Sequence, residues 1–133
     1  MTFPGLSQLV RTGDLVVLSG QTAFDDRGEL VGEKDPVAQA NQCFENINRL
    51  LEMAGGSMDN VIRLTCYLTD KSVYPAYAQA KRRYLGSNAP AGTAVVVKAL
   101  LDDDFLLEVE ATAVIPSGDS ESSVAHQQVL QER

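Results

Sequence analysis

The sequence predicts a single α+β domain in which two helices cover one face of a mixed β-sheet. Its 133 residues, 44% of them hydrophobic, are the usual size of one domain with its own core. Segments in which apolar residues alternate, as in strands, are interleaved with segments in which they recur at helical spacings of three and four. Turn-forming Gly, Pro and Asp residues separate these segments, and the resulting order is β-β-α-β-α-β-β.

The first two strands are predicted to form a hairpin. Residues 8–11 and 15–19 are short apolar runs, and Thr12-Gly13-Asp14 between them is typical of a tight turn. Ser19-Gly20-Gln21 then ends the second strand.

The first helix is predicted over residues 36–54. Asp35 can accept hydrogen bonds from the first helical amides, Pro36 suits the first helical position, and Gly55 suits the end. The apolar residues of this segment form one stripe that needs a partner surface. They are Val37, Ala40, Phe44, Ile47, Leu51 and Ala54.

The second half of the domain contributes three strands and a helix. Residues 61–69 alternate, which places Ile62, Leu64, Cys66 and Leu68 on one face. A helix follows at about residues 74–85, and its three tyrosines at helical spacing are interpreted as core rather than as a ligand cage. The β-branched run at 94–100 and the alternating residues 106–115, joined by an acidic turn at 102–104, predict the last two strands.

The last strand carries two carboxylates on the face that the helices leave open. Glu108 and Glu110 alternate there with apolar residues of the core face. A buried carboxylate needs a partner or a raised pKa, and such groups are enriched at functional sites. Periodicity alone leaves a second interpretation open, in which both glutamates are solvent-exposed strand residues.

Composition argues against nucleic acid and membranes as partners. Acidic residues outnumber basic ones 18 to 11, and the net charge of −7 disfavours binding to phosphates. The consecutive Lys81, Arg82 and Arg83 point in different directions on a helix, so they are interpreted as a solvated surface. Apolar stretches fall far short of a membrane span, and Pro4-Gly5 interrupts the region of a signal peptide, which predicts a cytoplasmic protein.

The cysteines and the histidine give no sign of a metal or cofactor. Cys43 and Cys66 each sit in an apolar pattern and are predicted to be buried free thiols. The single histidine, His126, lies in a polar segment, which argues against a His-based triad or a His-rich metal site. We therefore expect no cofactor and no metal.

The chain is predicted to divide into a folded domain, residues 1–115, and a flexible polar tail, residues 116–133. From Pro116 onward Ser, Gly, Asp and Glu dominate. The alternative for residues 123–131 is one or two weakly amphipathic helical turns that dock on a neighbour.

Several short motifs, in order from about residue 6 to residue 115, resemble the RidA/YjgF family, the reactive intermediate deaminases also labelled endoribonuclease L-PSP. They are Ser19-Gly20-Gln21, Asn46-Ile47 with Leu50-Leu51 and Ala54-Gly55, VIRLTCYLTD at 61–70, Pro90-Ala91 before a valine-rich strand, and Glu108-Val109-Glu110-Ala111. The resemblance implies a fold like that of Bacillus-type chorismate mutase, assembled as a homotrimer with small-molecule clefts between neighbouring subunits.

The resemblance also implies the site residues. Active relatives hydrolyse 2-imino or 2-enamino acids; an arginine after Pro-Ala holds the substrate carboxylate, and the first glutamate of the last motif orients or activates water. When the family's site residues are matched to this sequence, the resemblance implies that Glu108 is the catalytic carboxylate and that the backbone of Ser19 and Gly20 belongs to the substrate-binding cleft. The positions after Pro-Ala are Gly92, Thr93 and Ala94, which complete the predicted substrate-binding set.

This chain departs from the family pattern where the substrate carboxylate would bind. Gly92 stands in place of the arginine, Ala94 in place of a frequent cysteine, and Leu6 at about the place of a frequent tyrosine. Loss of the bidentate, charged hydrogen bonds from this arginine would weaken binding of the substrate carboxylate by about 100-fold or more. Arg11, Arg63 and Arg82 are the candidates for a substitute positive charge.

Three functions remain after this comparison. The first is a hydrolase or deaminase for a different small molecule, with Glu108 as general base and Thr93 or backbone amides orienting the substrate. The second is a non-catalytic trimer that binds a small ligand or a protein. The third, a ribonuclease or translation inhibitor as the family label suggests, is disfavoured by the acidic balance and the single histidine.

Overall fold

The computed structural model describes residues 4–117 and 124–127, which form one six-stranded mixed sheet and two α-helices. The strands are β1 (Leu9–Thr12), β2 (Leu15–Leu18), β3 (Val61–Leu68), β4 (Ala91–Val96), β5 (Leu107–Val114) and β6 (Val124–Gln127). The helices are α1 (Pro36–Met53) and α2 (Tyr74–Leu85). The strand order is β4-β3-β5-β2-β1-β6, and only the β3–β4 pair is parallel. The predicted mixed sheet with two helices is confirmed.

Local chemistry starts and stops the elements as the sequence predicts. The β1–β2 hairpin pairs Thr12 with Leu15 around a two-residue turn, in which Gly13 has a φ of 58° that favours glycine. Asp35 caps α1 by accepting from the amide of Ala38 at 3.1 Å. Gly55 follows α1 at φ 84°, and Gly86 follows α2 at φ 57°.

The core lies between the sheet and the helical layer. On β5 the residues at alternate positions, Leu107, Val109, Ala111 and Ala113, are all buried. Phe44 of α1 stacks on Tyr77 and Tyr84 of α2 at centroid distances of 5.8 and 5.6 Å. The interpretation of the tyrosines as core therefore holds for Tyr77, whereas Tyr74 at the start of α2 is 43% exposed.

Two apolar residues predicted to face the core do not. Ile62 is 48% exposed because the β3–β5 register shifts between Val61 and Arg63 and reverses the alternation at that point. Val37 is 47% exposed in the first turn of α1. The buried stripe of α1 includes instead a neighbouring row of Gln39, Cys43, Asn46 and Leu50.

The strands near the sheet edges differ from the prediction. Strand β4 begins at Ala91 rather than Ala94, because residues 91–93 pair with residues 63–65 of β3, and all six of its residues are exposed. At the other edge, β6 pairs antiparallel with β1, where the sequence favoured a flexible tail or a helical turn. The rest of that predicted tail, residues 118–123 and 128–133, lies outside the described residues. Across the described residues, neither helix is long and apolar enough to cross a membrane.

Candidate functional site

A cavity of about 490 Å³ opens beside β5, at the end of the sheet where β2 stops. Its walls come from the segment before β1, from residues 19–24 after β2, from the loop at 101–105 and from Glu108. The size suits a small molecule. The cavity brings together three of the site residues predicted from the sequence: Ser19, Gly20 and Glu108.

Glu108 is one of the two acidic residues among the described residues that line this cavity. It projects from the open face of β5 and is half-buried, and this burial, followed by the negative charge of Glu110, raises the pKa of its carboxyl. Glu110 is itself engaged, because the hydroxyl of Tyr67 donates a hydrogen bond to its Oε1 at 2.5 Å. A carboxylate with a raised pKa is a stronger base than an ordinary carboxylate.

Gly20 leaves room for the Glu108 carboxyl. A Cβ built on Gly20 would lie 2.8 Å from Cδ of Glu108, so close that one of the two groups would have to shift, and 3.1 Å from Oε2. The backbone amide and carbonyl of Gly20 have no hydrogen-bond partner within residues 4–117 and 124–127. They are therefore available to a water molecule or a ligand beside Glu108.

The neighbours of Gly20 fix its position. The backbone of Gln21 exchanges two hydrogen bonds with Val109, at 2.7 and 3.0 Å, and so ties this loop to β5 next to Glu108. The Ser19 hydroxyl donates to the carbonyl of Ser7 at 2.6 Å, and the Gln21 amide group donates to Oε1 of Gln8 at 2.9 Å. The Ser19 hydroxyl is thus a positioning group rather than a nucleophile aimed at the cavity.

Two buried polar residues of α1 hold the cavity walls, and both escaped the sequence prediction. Asn46 donates to the carbonyls of Thr22 and Phe24 at 2.9 and 2.8 Å. Gln39 donates to the carbonyl of Asp104 and accepts from the amide of Leu106, both at 2.9 Å. One feature of the sequence could have revealed them. Gln39 and Asn46 lie seven residues apart, on the buried side of α1, and buried side-chain amides require hydrogen-bond partners.

The remaining walls are apolar and acidic. Phe24 and Phe105 meet edge to face at a centroid distance of 5.3 Å, and Leu6 and Leu101 complete the apolar wall. Asp102 contributes a second carboxylate. No Lys, Arg or His is found among the described residues that line the cavity.

The other predicted site residues lie elsewhere in the chain. Gly92, Thr93 and Ala94 belong to the exposed edge strand β4, which β3 separates from β5, and they are not among the described residues lining the cavity. Gly92 has space for a side chain, because its built Cβ would meet only the Leu64 carbonyl, at 3.6 Å. Thr93 accepts a hydrogen bond at 2.8 Å from the guanidinium of Arg63.

The candidate substitute arginines are placed differently from one another. Arg11 donates to three backbone carbonyls, those of Gly13, Ala54 and Ile115, so its guanidinium serves the fold rather than a ligand. Arg63 pairs with Ala91 and donates to Thr93 on the open face, and Arg82 is exposed in the last turn of α2. None of the three lines the cavity.

Both cysteines are buried free thiols. Burial raises the pKa of Cys66 to about 12 and also raises that of Cys43, which disfavours the thiolate form at both positions. Within the described part of the chain, no group of three or more His, Cys, Asp or Glu side chains could hold a metal ion.

Comparison with known proteins identifies the family. The family model "Endoribonuclease L-PSP" matches residues 2–115. The chain belongs to the RidA/YjgF (endoribonuclease L-PSP) family. A RutC family protein of Pyrococcus horikoshii is 37% identical over 108 residues, covering 80% of this chain and 84% of the relative.

Two further matches extend the family assignment. A 3-aminoacrylate deaminase, RutC of Acinetobacter baylyi, is 31% identical over 103 residues, covering 77% of this chain and 81% of the relative. The crystal structure of RidA from an Antarctic Psychrobacter matches with a TM-score of 0.79 and 35% identity, covering 86% of this chain and 92% of that one. The RidA/YjgF resemblance seen in the sequence motifs is therefore confirmed.

Proposed function

We propose that this RidA family member hydrolyses a C–N bond of a small molecule, with Glu108 as the general base. The observation that carries the proposal is the half-buried Glu108 carboxyl, with its raised pKa, in a cavity of about 490 Å³ beside unpartnered backbone groups of Gly20. The deaminase activity in the name of the Acinetobacter relative supports the same reaction class.

The proposed reaction needs a carboxylate and a water molecule. Glu108 accepts a proton as the water oxygen attacks the carbon of a C=N bond, and the resulting carbinolamine receives that proton on nitrogen. Glu108 then takes the hydroxyl proton of the carbinolamine and passes it to nitrogen as the C–N bond breaks with its electron pair on nitrogen, which gives a carbonyl compound and ammonia. The Gly20 amide can donate to the attacking water or to the developing oxyanion.

We further propose a chorismate mutase-like homotrimer in the cytoplasm, with the clefts completed by neighbouring subunits. Support comes from the open sheet face, where four apolar side chains are between 40% and 43% exposed and would be buried in a subunit interface. They are Leu15, Val17, Val95 and Val114. In such an assembly the exposed strand β4 of one subunit, with Gly92, Thr93 and Ala94, would approach the Glu108 cavity of the next. Buried free thiols suit a reducing compartment.

The natural substrate is proposed to differ from that of a standard 2-imino acid deaminase. Gly92 offers no side chain at the position where the family carries its carboxylate-binding arginine. A ribonuclease is disfavoured because the net charge is −7, so we infer that nucleic acid and membranes are not partners.

The alternative is a non-catalytic trimeric member that binds a ligand or a protein. The same Gly92 favours it, because a family member that has lost its carboxylate clamp need no longer turn over the family substrate. The two functions differ in one respect that can be measured, which is turnover that depends on Glu108.

The test is ammonia release from freshly generated imines, with and without a carboxylate, and from simple amides and carbamates. Wild type, Glu108→Gln and Gly92→Arg are compared, and a bona fide family deaminase is the positive control. We expect wild type to act on a substrate other than 2-iminobutyrate, and Gly92→Arg to gain activity on 2-iminobutyrate, since the built Cβ at Gly92 meets only ordinary contacts.

Each outcome decides between the alternatives. Activity of wild type that Glu108→Gln abolishes supports the hydrolase. Full activity of Glu108→Gln on the same substrate overturns the mechanism. Ligand binding by wild type with no turnover of any substrate, in a trimer that Gly92→Arg also fails to activate, favours the binding protein.

A further inference from the structure

Two phenylalanine rings form part of the cavity wall, although they come from separate loops. Phe24 follows β2 and Phe105 precedes β5, and their rings meet edge to face at a centroid distance of 5.3 Å and an interplanar angle of 85°. Neither side chain is fully buried, so each ring presents apolar surface to the cavity. Aromatic surface of this kind in a concave site suits an apolar group of a ligand.

Buried amides of α1 hold the backbone that carries both rings. Asn46, which is 3% exposed, donates to the carbonyl of Phe24 at 2.8 Å. Gln39 is fully buried and holds the two residues that flank Phe105, donating to the carbonyl of one and accepting from the amide of the other, both at 2.9 Å. The position of the rings is therefore set by the fold, and a preformed site binds with a smaller loss of conformational entropy.

We propose that the Phe24–Phe105 pair is a subsite for an aromatic group of the substrate, so that the cleft prefers a compound whose hydrolysable C–N group carries an aryl or arylalkyl side chain. For turnover the inference rests on the proposed C–N hydrolysis, whereas the binding preference rests on the two rings. It gives Phe24 and Phe105 a role in specificity that neither the sequence motifs nor the family relationship gives them.

The cavity has room for such a ligand. Glu108 and Gly20 line the same cavity as the two rings, and its volume of about 490 Å³ accommodates a reactive group together with a phenyl ring. A third ring can pack against the pair edge to face or offset-stacked, which favours an aromatic ring over a saturated ring of similar size.

The subsite does not depend on how the cleft is closed. In the proposed trimer a neighbouring subunit would add further walls beside the rings. Phe24 and Phe105 would keep their places there, because the hydrogen bonds that hold their loops come from α1 of the same chain.

Matched pairs of carbonyl compounds isolate the effect of the aromatic group. The ketone 4-phenyl-2-butanone differs from 2-butanone by one phenyl group, and 2-oxo-4-phenylbutyrate differs from 2-oxobutyrate in the same way. The ratio of the two dissociation constants within a pair cancels the contribution of the polar end, with or without a carboxylate. The ketone 4-cyclohexyl-2-butanone is a further probe, since it is apolar and of similar size but has no aromatic face.

The experiment is an amide NMR titration of the full chain with these probes. We expect the phenyl group to tighten binding by about tenfold or more in each pair, and the phenyl ketone to bind about threefold more tightly than the cyclohexyl ketone. The amides of Phe24 and Phe105 should shift with the phenyl compounds, because the ring current of the ligand acts on nearby protons.

Phe105→Leu tests the subsite, and Tyr74→Leu is the matched control. Both changes replace a ring by leucine, but Tyr74 lies at the start of α2 and is not among the described residues that line the cavity. Phe105→Leu should abolish the preference for phenyl over cyclohexyl, whereas Tyr74→Leu should keep it. If Phe105→Leu unfolds or changes its mass in light scattering, Phe24→Leu on the other loop takes its place, with the same expected loss.

Two results overturn the inference. One is binding of the phenyl ketone by wild type that is no tighter than that of the cyclohexyl ketone, and the other is an unchanged preference in the phenylalanine variant. Ammonia release from the imines of the same compounds separates the inference from the proposed function. A phenyl preference in binding without turnover leaves the inference standing and the hydrolase wrong, whereas Glu108-dependent turnover that is indifferent to the phenyl group does the reverse.

Discussion

The α-carbon of Gly20 lies against the carboxyl group of Glu108, and a Cβ at position 20 would be 2.8 Å from Cδ and 3.0 Å from Cγ of that side chain. The loop after β2 and the first residues of β5 are therefore in direct contact at the cavity. The atoms in conflict belong to the flexible end of a side chain, so an added methyl group would move the carboxyl rather than the backbone.

Gly20→Ala should therefore lower activity without a large loss of folding stability. Gly20 does not have a positive φ, so alanine is sterically acceptable to the backbone itself. We expect ammonia release to fall by about tenfold or more with a change in unfolding free energy below about 1 kcal/mol. Steady-state kinetics and urea unfolding measure the two quantities.

Gly13→Ala is the matched control and should show the opposite pattern. Gly13 has open space around it but a φ of 58°, so alanine there costs about 1 kcal/mol of stability without reaching the site. If Gly20→Ala kept full activity, the contact with Glu108 would have no role in the reaction.

A second prediction concerns the electrostatic coupling along β5. The negative charge of Glu110 contributes to the raised pKa of Glu108, after burial. Glu110→Gln should lower the pKa of Glu108, which carboxyl-carbon NMR titration can follow. Glu45→Gln, a change of the same kind on α1, should leave it unmoved. An unchanged pKa in Glu110→Gln would mean that burial alone sets it.

How far the sequence predicts this molecule can be judged from particular residues. Asp35, Gly13 and Gly55 act through local backbone geometry, so their roles as cap, turn and helix stop were predictable. The buried alternation of β5 was predictable for the same reason. Ile62 was misplaced because a bulge depends on pairing between strands distant in sequence, which periodicity cannot show.

The site was predicted only in part, and for a physical reason. Ser19, Gly20 and Glu108 meet in one cavity, whereas Asn46, Phe105 and Asp102 line it through tertiary contacts that no local pattern predicts. Gln39 lies outside the lining and holds the loop at Asp104 by a tertiary hydrogen bond. Gly92, Thr93 and Ala94 lie on an exposed edge strand of the same chain, and a role in the cleft would require the neighbouring subunit of the proposed trimer.

The stability of the protein should depend on the charge of Glu108. A carboxyl whose pKa is raised on folding favours the folded state below its ordinary value of 4.5, and this contribution is lost as the pH rises through the raised value. Glu108→Gln should therefore be more stable than wild type at pH 7, by no more than about 1 kcal/mol because the group is half-exposed and screened. The difference should vanish below about pH 4.

Urea unfolding of both proteins at pH 4 and pH 7 measures this effect. A loss of stability in Glu108→Gln at pH 7 would show that the ionised carboxylate makes a favourable contact, and that burial does not dominate its pKa.

The proposed trimer predicts a specific effect of a charge on the open face. Val17 lies on β2 and is 43% exposed there, so Val17→Asp should place a carboxylate in the subunit interface and dissociate the assembly. Light scattering should give three times the mass of the chain for wild type and one chain for the variant. Val37→Asp, at a position that is 47% exposed on α1, is the control. A monomeric wild type would contradict the trimer.

The most direct test of the account is the rate of ammonia release by Glu108→Gln and Glu110→Gln, measured side by side with wild type on the best substrate of the imine panel. The two glutamates lie two residues apart on one face of β5, but only Glu108 lines the cavity. We predict that Glu108→Gln loses about 100-fold or more, as expected for removal of a general base, while Glu110→Gln keeps activity within about tenfold. Equal activity of Glu108→Gln and wild type would contradict the proposed mechanism.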